Sequence, residues 1–292
     1  MGAPHKLRHP FEPKTIRGFI VERWMIFEDS VRDYLEKEVK ISGIRFVGRG
    51  KSDSTSSDID VFYKESFLFS VEAKLVPSQC GQFVVIKDQE SYKYSEKNVE
   101  RENAFSTEII SELNKRKGIF GNVGTGAIFI NLYTDAFYGW IIEHYKNKKV
   151  RFIFTSTSPS NFENGFIRSI RLEDLKKFFK ATACLRRKKS GSRGLSRMEF
   201  DYAISILKNK FGSHFTLKKD GLVSLPGLSN KRVYLPENFL LSRIGDYYRI
   251  RKLSTTNNPN VIFSLEYIGP TETNSLDEFK KEIEKEISKI MP

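Results

Sequence analysis

Two short stretches of this 292-residue chain carry side chains that could hold a hard cation and manage a proton: Asp58 and Asp60 in SSDIDVFY, and Glu72 and Lys74 in FLFSVEAK. An acid, any residue, then lysine recurs along the chain, as at Glu38/Lys40, Asp174/Lys176, Glu278/Lys280 and Glu72/Lys74. The first three fall in charged segments where solvated surface explains them. Only Glu72/Lys74 sits inside an apolar, strand-like run. In a strand, residues two apart share a face. Ile59, Val61 and Tyr63 make one apolar face, and Phe67, Phe69, Val71 and Ala73 make another. If these bury together, Asp58, Asp60, Glu72 and Lys74 gather on the opposite side. Crowded carboxylates repel unless a cation neutralises them, which points to a divalent metal. Oxygen-only ligation favours Mg²⁺ over zinc. The bland alternative is the solvated polar side of an edge hairpin, with Lys74 pairing an acid. It explains the alternation but not acids on both strands.

The pairing of the two strands decides which aspartate faces Glu72. A three-residue loop at Lys64, Glu65 and Ser66 keeps the apolar faces together and pairs Tyr63 with Phe67, Val61 with Phe69 and Ile59 with Val71. Asp58 then stands opposite Glu72, with Cβ atoms ~4.5–5.5 Å apart, and Asp60 faces Ser70. A loop at Glu65 to Phe67 would instead set Asp60 opposite Glu72 and place Phe67 in a turn.

The elements that must position this cluster are legible in outline. Apolar residues at three-to-four spacing predict a long helix from Thr15 to Val39, with Thr15 as N-cap. A strand at Ile44 to Val47 and a Gly/Ser-rich loop precede the two acidic strands. Beyond them come a short apolar run at Phe83 to Ile86, a helix at Ala104 to Leu113, the buried-strand run AIFINLY, a helix at Ala136 to Tyr145 and a strand at Val150 to Phe154. This order predicts an α/β fold, a mixed sheet flanked by helices. The composition shifts at LRRKKSGSRGLSR. The expectation is therefore a catalytic domain over 1–184, a basic linker over 185–197 and a smaller α+β C-terminal domain over 198–292. A chain ending near Ala183 should fold alone.

Composition narrows the classes. Forty-nine Lys and Arg against thirty-six Asp and Glu give a net charge of +13, the footprint of a protein that meets a polyanion. A merely basic soluble protein is the plain alternative. Nothing approaches a spanning helix, and the N-terminus lacks an apolar signal region, so the expected location is cytoplasmic with no membrane partner. Cys80 and Cys184 lack metal-like spacing and read as reduced thiols. GNVGTG lacks the Lys-Ser/Thr ending of a phosphate loop.

With these residues in place, the chain resembles the PD-(D/E)XK, or restriction-endonuclease-like, nucleases. Their core runs helix, three strands, helix, fourth strand, with an acid opening the second strand and acid-x-lysine on the third. Residues 15 to 132 follow that order. Asp58 matches the first acid and Glu72-Ala73-Lys74 the second element, with Ser57 where the name-giving proline would stand. The resemblance implies hydrolysis of phosphodiesters in double-stranded DNA by a type II restriction enzyme. Asp58, Glu72 and the Ala73 carbonyl would hold Mg²⁺, Lys74 would manage the attacking water, and Glu22 on the first helix would support the metal. Gln79 and Gln82, just after the third strand, are candidate substrate contacts, with plain loop polarity as the equal alternative. Arg186, Arg187, Lys188, Lys189 and Arg193 form a candidate phosphate clamp, with a solvated linker as the equal alternative. C-terminal residues would aid sequence recognition, and a homodimer is compatible with this reading. The rivals are a junction-resolving, repair or transposon-end nuclease, and a non-catalytic DNA-binding protein.

Overall fold

In the computed structural model, which describes residues 15–16, 19–20, 23–49, 57–131, 134–158, 166–187, 192–218, 221–253, 258–270 and 276–291, a helix leads into three antiparallel strands. These are α1 (Arg23–Glu38), β1 (Ile44–Gly48), β2 (Ile59–Tyr63) and β3 (Ser66–Lys74). The helix begins eight residues later than its periodicity predicts. Thr15–Ile16 pairs instead with Phe19–Ile20 as a two-stranded ribbon. The β-branched Ile16 and Ile20 favour strand over helix, which suits this pairing.

β4 (Ser78–Asp88), β5 (Ser91–Tyr94), α2 (Ala104–Lys115) and β6 (Ile128–Phe129) follow. Next come α3 (Thr134–Asn147), β7 (Val150–Ser156), β8 (Ile167–Arg171) and β9 (Phe179–Arg187). The first sheet has the order β8-β7-β3-β2-β1. β3 is central and runs parallel to β7, the connection passing through α3. The core helix and fourth strand are therefore α3 and β7, downstream of the 15–132 span that the sequence suggests. Among the described residues of the AIFINLY run, Ile128–Phe129 form the short β6, paired with β9 at Cys184 and Leu185. A short apolar run does not by itself say which sheet will take it.

The second sheet has the order β5-β4-β10-β9-β6, where β10 is Pro259–Tyr267. This corrects the expected domain plan. VIFSLEYI does not belong to a C-terminal domain: it is the middle strand here, paired with β9 and β4. A nearly continuous apolar run suits a strand buried on both sides. The last helix, α5 (Asp277–Ile290), returns too, packing Phe279, Ile283 and Ile287 with Phe27, Val31 and Leu35 of α1 and Phe69, Val71 and Phe152 of the first sheet. The segment that stands apart is 192–253, whose core is built from its own helix α4 (Arg197–Phe211) and strands. It is an insertion between two paired strands. The expected linker begins inside β9, and Ser192–Arg193 is itself a strand paired with Lys252 and Leu253.

α1 and α5 cover one face of the first sheet. The other face shares a core with α2, α3 and the second sheet, including Val150, Ile153, Tyr145, Trp140, Phe83 and Phe263. β3 is thus buried on both sides, and its polar residues do not lie on a solvated face.

Candidate active site

The hairpin of β2 and β3 has the register that sets Asp58 toward Glu72, by a different device. The turn has two residues, Lys64 and Glu65, with Lys64 at φ 52°, and Tyr63 pairs with Ser66. Leu68 is then an extra residue, a bulge between the pairs Phe62/Phe67 and Val61/Phe69. The bulge restores odd-to-odd pairing, so Ile59 meets Val71 and Asp60 meets Ser70 as expected.

Asp58, Glu72 and Lys74 come together at this end of the strands. Lys74 Nζ lies 3.0 Å from Asp58 Oδ2 and 2.5 Å from Glu72 Oε2. The Ala73 amide donates to the same Asp58 oxygen at 2.9 Å, fixing the carboxylate against β3. Glu72 is only 2 % exposed. Burial raises its pKa and the Asp58 charge raises it further, while Lys74 pulls it back. Burial alone would lower the Lys74 ammonium, but Glu72 and Asp58 hold it well above its ordinary value. The buried pair with acids on both strands overturns the solvated-edge alternative.

Asp60 belongs to a different set of contacts. Its Oδ1 accepts hydrogen bonds from Ser57 Oγ at 2.8 Å and Ser70 Oγ at 2.6 Å, and Arg49 Nε lies 2.6 Å from Oδ2.

Glu22 lies outside the described residues. The acid that α1 sends toward the site is Glu28, whose carboxyl is pushed up to about 8, chiefly by burial and then by the nearby Asp58 charge, with Lys74 opposing. The sequence did carry a signal for it. Glu28 follows Trp24 by four and precedes Val31 by three and Leu35 by seven, so it occupies a core-facing position of the helix. Two further groups were not legible: Lys148, 3.9 Å from Glu72 Oε1, and Tyr145, whose buried hydroxyl lies within electrostatic reach of Lys74 and Glu72. Both follow from where α3 ends, which sequence spacing does not fix.

The residues suit magnesium on chemical grounds. Glu72 Oε1 is buried and accepts no hydrogen bond from the described residues, and the Asp58 and Glu72 carboxylates converge on one ammonium. One or two carboxylates are what Mg²⁺ ordinarily takes from a protein, the rest of its sphere being water and phosphate. Among the described residues no group of three or more His, Cys, Asp or Glu is arranged to hold a metal.

The remaining candidates spread over the second sheet. Gln79 and Gln82 lie on β4 rather than in a loop, joined by a hydrogen bond of 3.2 Å. Arg186 and Arg187 end β9 rather than opening a linker. Through the register, Gln82 aligns with Ile262 and Cys184, Gln79 with Ser264 and Thr182, and Arg186 with Asn260. These form one face of the sheet, opposite the buried Phe83, Val261, Phe263 and Leu185. Lys188 and Lys189 lie outside the described residues, and only the backbone of Arg193 is described.

No family model matches the sequence, and no curated protein matches it. Among solved structures, HhaI endonuclease in complex with DNA matches at 31% identity, covering 91% of this chain and 99% of that one, with a TM-score of 0.66. The fold is the restriction-endonuclease-like α/β arrangement that the element order predicts. No described helix is long and apolar enough to cross a membrane.

Proposed function

The chain belongs to the family of HhaI endonuclease, and we propose that it is a Mg²⁺-dependent endodeoxyribonuclease of the PD-(D/E)XK type, cutting double-stranded DNA as a type II site-specific enzyme. The observation that carries this reading is the meeting of Asp58 and Glu72 on Lys74 Nζ, at 3.0 and 2.5 Å, at the end of the central strand.

In this reading Asp58, Glu72 and the Ala73 carbonyl would hold the metal. A bound Mg²⁺ would supply positive charge to the scissile phosphate and lower the pKa of a water. Lys74, kept cationic by its two carboxylates, orients the attacking water and balances charge developing on the phosphate. Glu28, coupled to Asp58 and Lys74 from the helix side, would support the metal's waters there. Burial of Glu72 between the sheet and α3 keeps bulk solvent from its carboxylate.

DNA would also be gripped over a wider surface. The face bearing Gln79, Gln82 and Arg186 offers donors and acceptors suited to base edges and phosphates. The insertion 192–253 holds twelve Lys and Arg against five Asp and Glu, a surplus suited to backbone contacts. Such an enzyme would work in the cytoplasm, where DNA is reached.

Incubation of a plasmid with and without Mg²⁺ tests the reading. Discrete fragments with Mg²⁺ are expected. Nicking or junction-only cutting would assign the site to a resolving or repair nuclease, and salt-sensitive binding without cutting would make the protein a non-catalytic binder.

A further inference from the structure

Asp60 lies two residues beyond Asp58 in sequence, is 6 % exposed, and takes no part in the Lys74 cluster. A buried carboxylate is costly unless fully paired. Asp60 is paired three ways, and the partners have a pattern. Ser57 immediately precedes Asp58, and Ser70 is two residues before Glu72. Both hydroxyls donate to one oxygen, Oδ1, at 2.8 and 2.6 Å. The other oxygen faces Arg49 Nε at 2.6 Å.

Arg49 follows β1, the edge strand. Its amide donates to the Asp58 carbonyl at 2.9 Å, which continues the β1/β2 ladder and sets Arg49 opposite Asp58. Residues so paired project to the same side, with Cβ atoms ~4.5–5.5 Å apart. The Arg49 side chain is 53 % exposed, whereas that of Asp60 is 9 % exposed. Among the described residues no other ion pair or hydrogen bond engages the Arg49 guanidinium. A guanidinium carries five N–H donors in a rigid fork matched to carboxylate and phosphate oxygens. Held by Nε on a buried acid, it keeps its Nη groups for a second acceptor, with little orientational freedom left to lose.

We infer that Arg49 is a phosphate-binding residue, aimed by Asp60, which grips the backbone of the bound DNA strand beside the metal-holding Asp58. The ligand is a phosphodiester next to the one being cut, and Asp60 is the positioning residue. This rests on the reading of the protein as a DNA-cutting enzyme. It also gives Asp60 a second effect: through Ser57 and Ser70 the same carboxylate ties together the strands that carry Asp58 and Glu72.

The test is binding of a labelled duplex oligonucleotide by the full chain in EDTA over a range of KCl, beside plasmid cleavage with Mg²⁺. Arg49→Gln should bind about tenfold more weakly, with a salt slope shallower by ~0.9, the loss of one phosphate contact. Arg49→Lys should restore the slope but only part of the affinity, since charge returns without the fork. Asp60→Asn should weaken binding several-fold in the wild-type background and not at all in the Arg49→Gln background. Wild-type affinity and slope for Arg49→Gln would overturn the inference, as would an equal loss from Asp60→Asn in both backgrounds. Arg49 is a surface residue, so Arg49→Gln decides the matter if Asp60→Asn does not fold. A wild-type chain that neither binds nor cuts duplex DNA would sink the proposed function itself. Cutting by wild type with an unaltered Arg49→Gln would sink only this inference.

Discussion

Lys74 Nζ stands 3.0 Å from Asp58 Oδ2 across two neighbouring strands, so in the absence of a metal the lysine serves as the counter-ion of both carboxylates. Removing it should separate binding from chemistry, because phosphate contacts and the metal site are different contributions. Lys74→Ala is expected to bind duplex DNA within a few-fold of wild type and to cut it ~10²–10⁴-fold more slowly. Single-turnover plasmid cleavage measures this, and a wild-type rate would remove Lys74 from the mechanism.

The two aspartates make the next prediction. Asp58 Oδ2 meets Lys74 and the Ala73 amide, whereas Asp60 is spent on Ser57, Ser70 and Arg49. Asp58→Asn should abolish Mg²⁺-dependent cleavage. Asp60→Asn should leave a measurable fraction, with DNA affinity reduced. Activity in the first variant and none in the second would mean that the metal is held from Asp60.

How far the sequence exposes this site follows from which constraint is local. Strand alternation is local, so the meeting of Asp58, Glu72 and Lys74 can be read from spacing. The bulge at Leu68 cannot, yet the expected register survives, because buried Ile59, Val61, Phe69 and Val71 demand it and the turn adjusts. Helical periodicity likewise contains Glu28, once α1 is known to bury Phe27, Val31 and Leu35. The domain plan fails for a non-local reason. The basic Ser/Gly stretch does mark where the chain leaves β9, but only strand pairing reveals that it comes back as β10.

Glu28 gives a pH dependence in the metal-free protein. Its carboxyl is pushed up to about 8 from 4.5, by burial first and then by Asp58. The folded state therefore keeps a proton that the unfolded state releases over that range. The stability this contributes is fully present below the unfolded value and is lost as pH rises through the folded one. In EDTA the wild type should lose stability between about pH 5 and about pH 9. Glu28→Gln stays neutral and should flatten that part of the curve. After allowance for solvent screening, the advantage at the alkaline end is on the order of 1–2 kcal/mol, a few degrees in Tm. Parallel pH–Tm curves for the two proteins would show that Glu28 is ionised in the fold.

The insertion and the last helix should respond oppositely to removal. Arg187 and Pro259 are register partners in an antiparallel pair, so the ends of the intervening segment already lie side by side. The apolar cluster between them draws only on residues from Leu195 to Ile250. Replacing residues 188–258 with a short hairpin turn should therefore leave a body that melts cooperatively and keeps Mg²⁺-dependent cutting. Binding should become weaker and less salt-sensitive, since the Lys and Arg surplus of the insertion is gone. Phe279 of α5 is different, for it is fully buried and its ring packs edge-on to Phe69, Phe152 and Phe154 at centroid distances of 5.8, 5.0 and 5.3 Å. Phe279→Ala should cost ~3–5 kcal/mol, read by urea unfolding, although it lies more than two hundred residues from Asp58. A chain ending near Ala183 loses both β10 and α5, and should be molten or insoluble where the internally shortened chain is not. If the chain ending near Ala183 folds and the shortened one collapses, residues 259–290 are not part of the catalytic body.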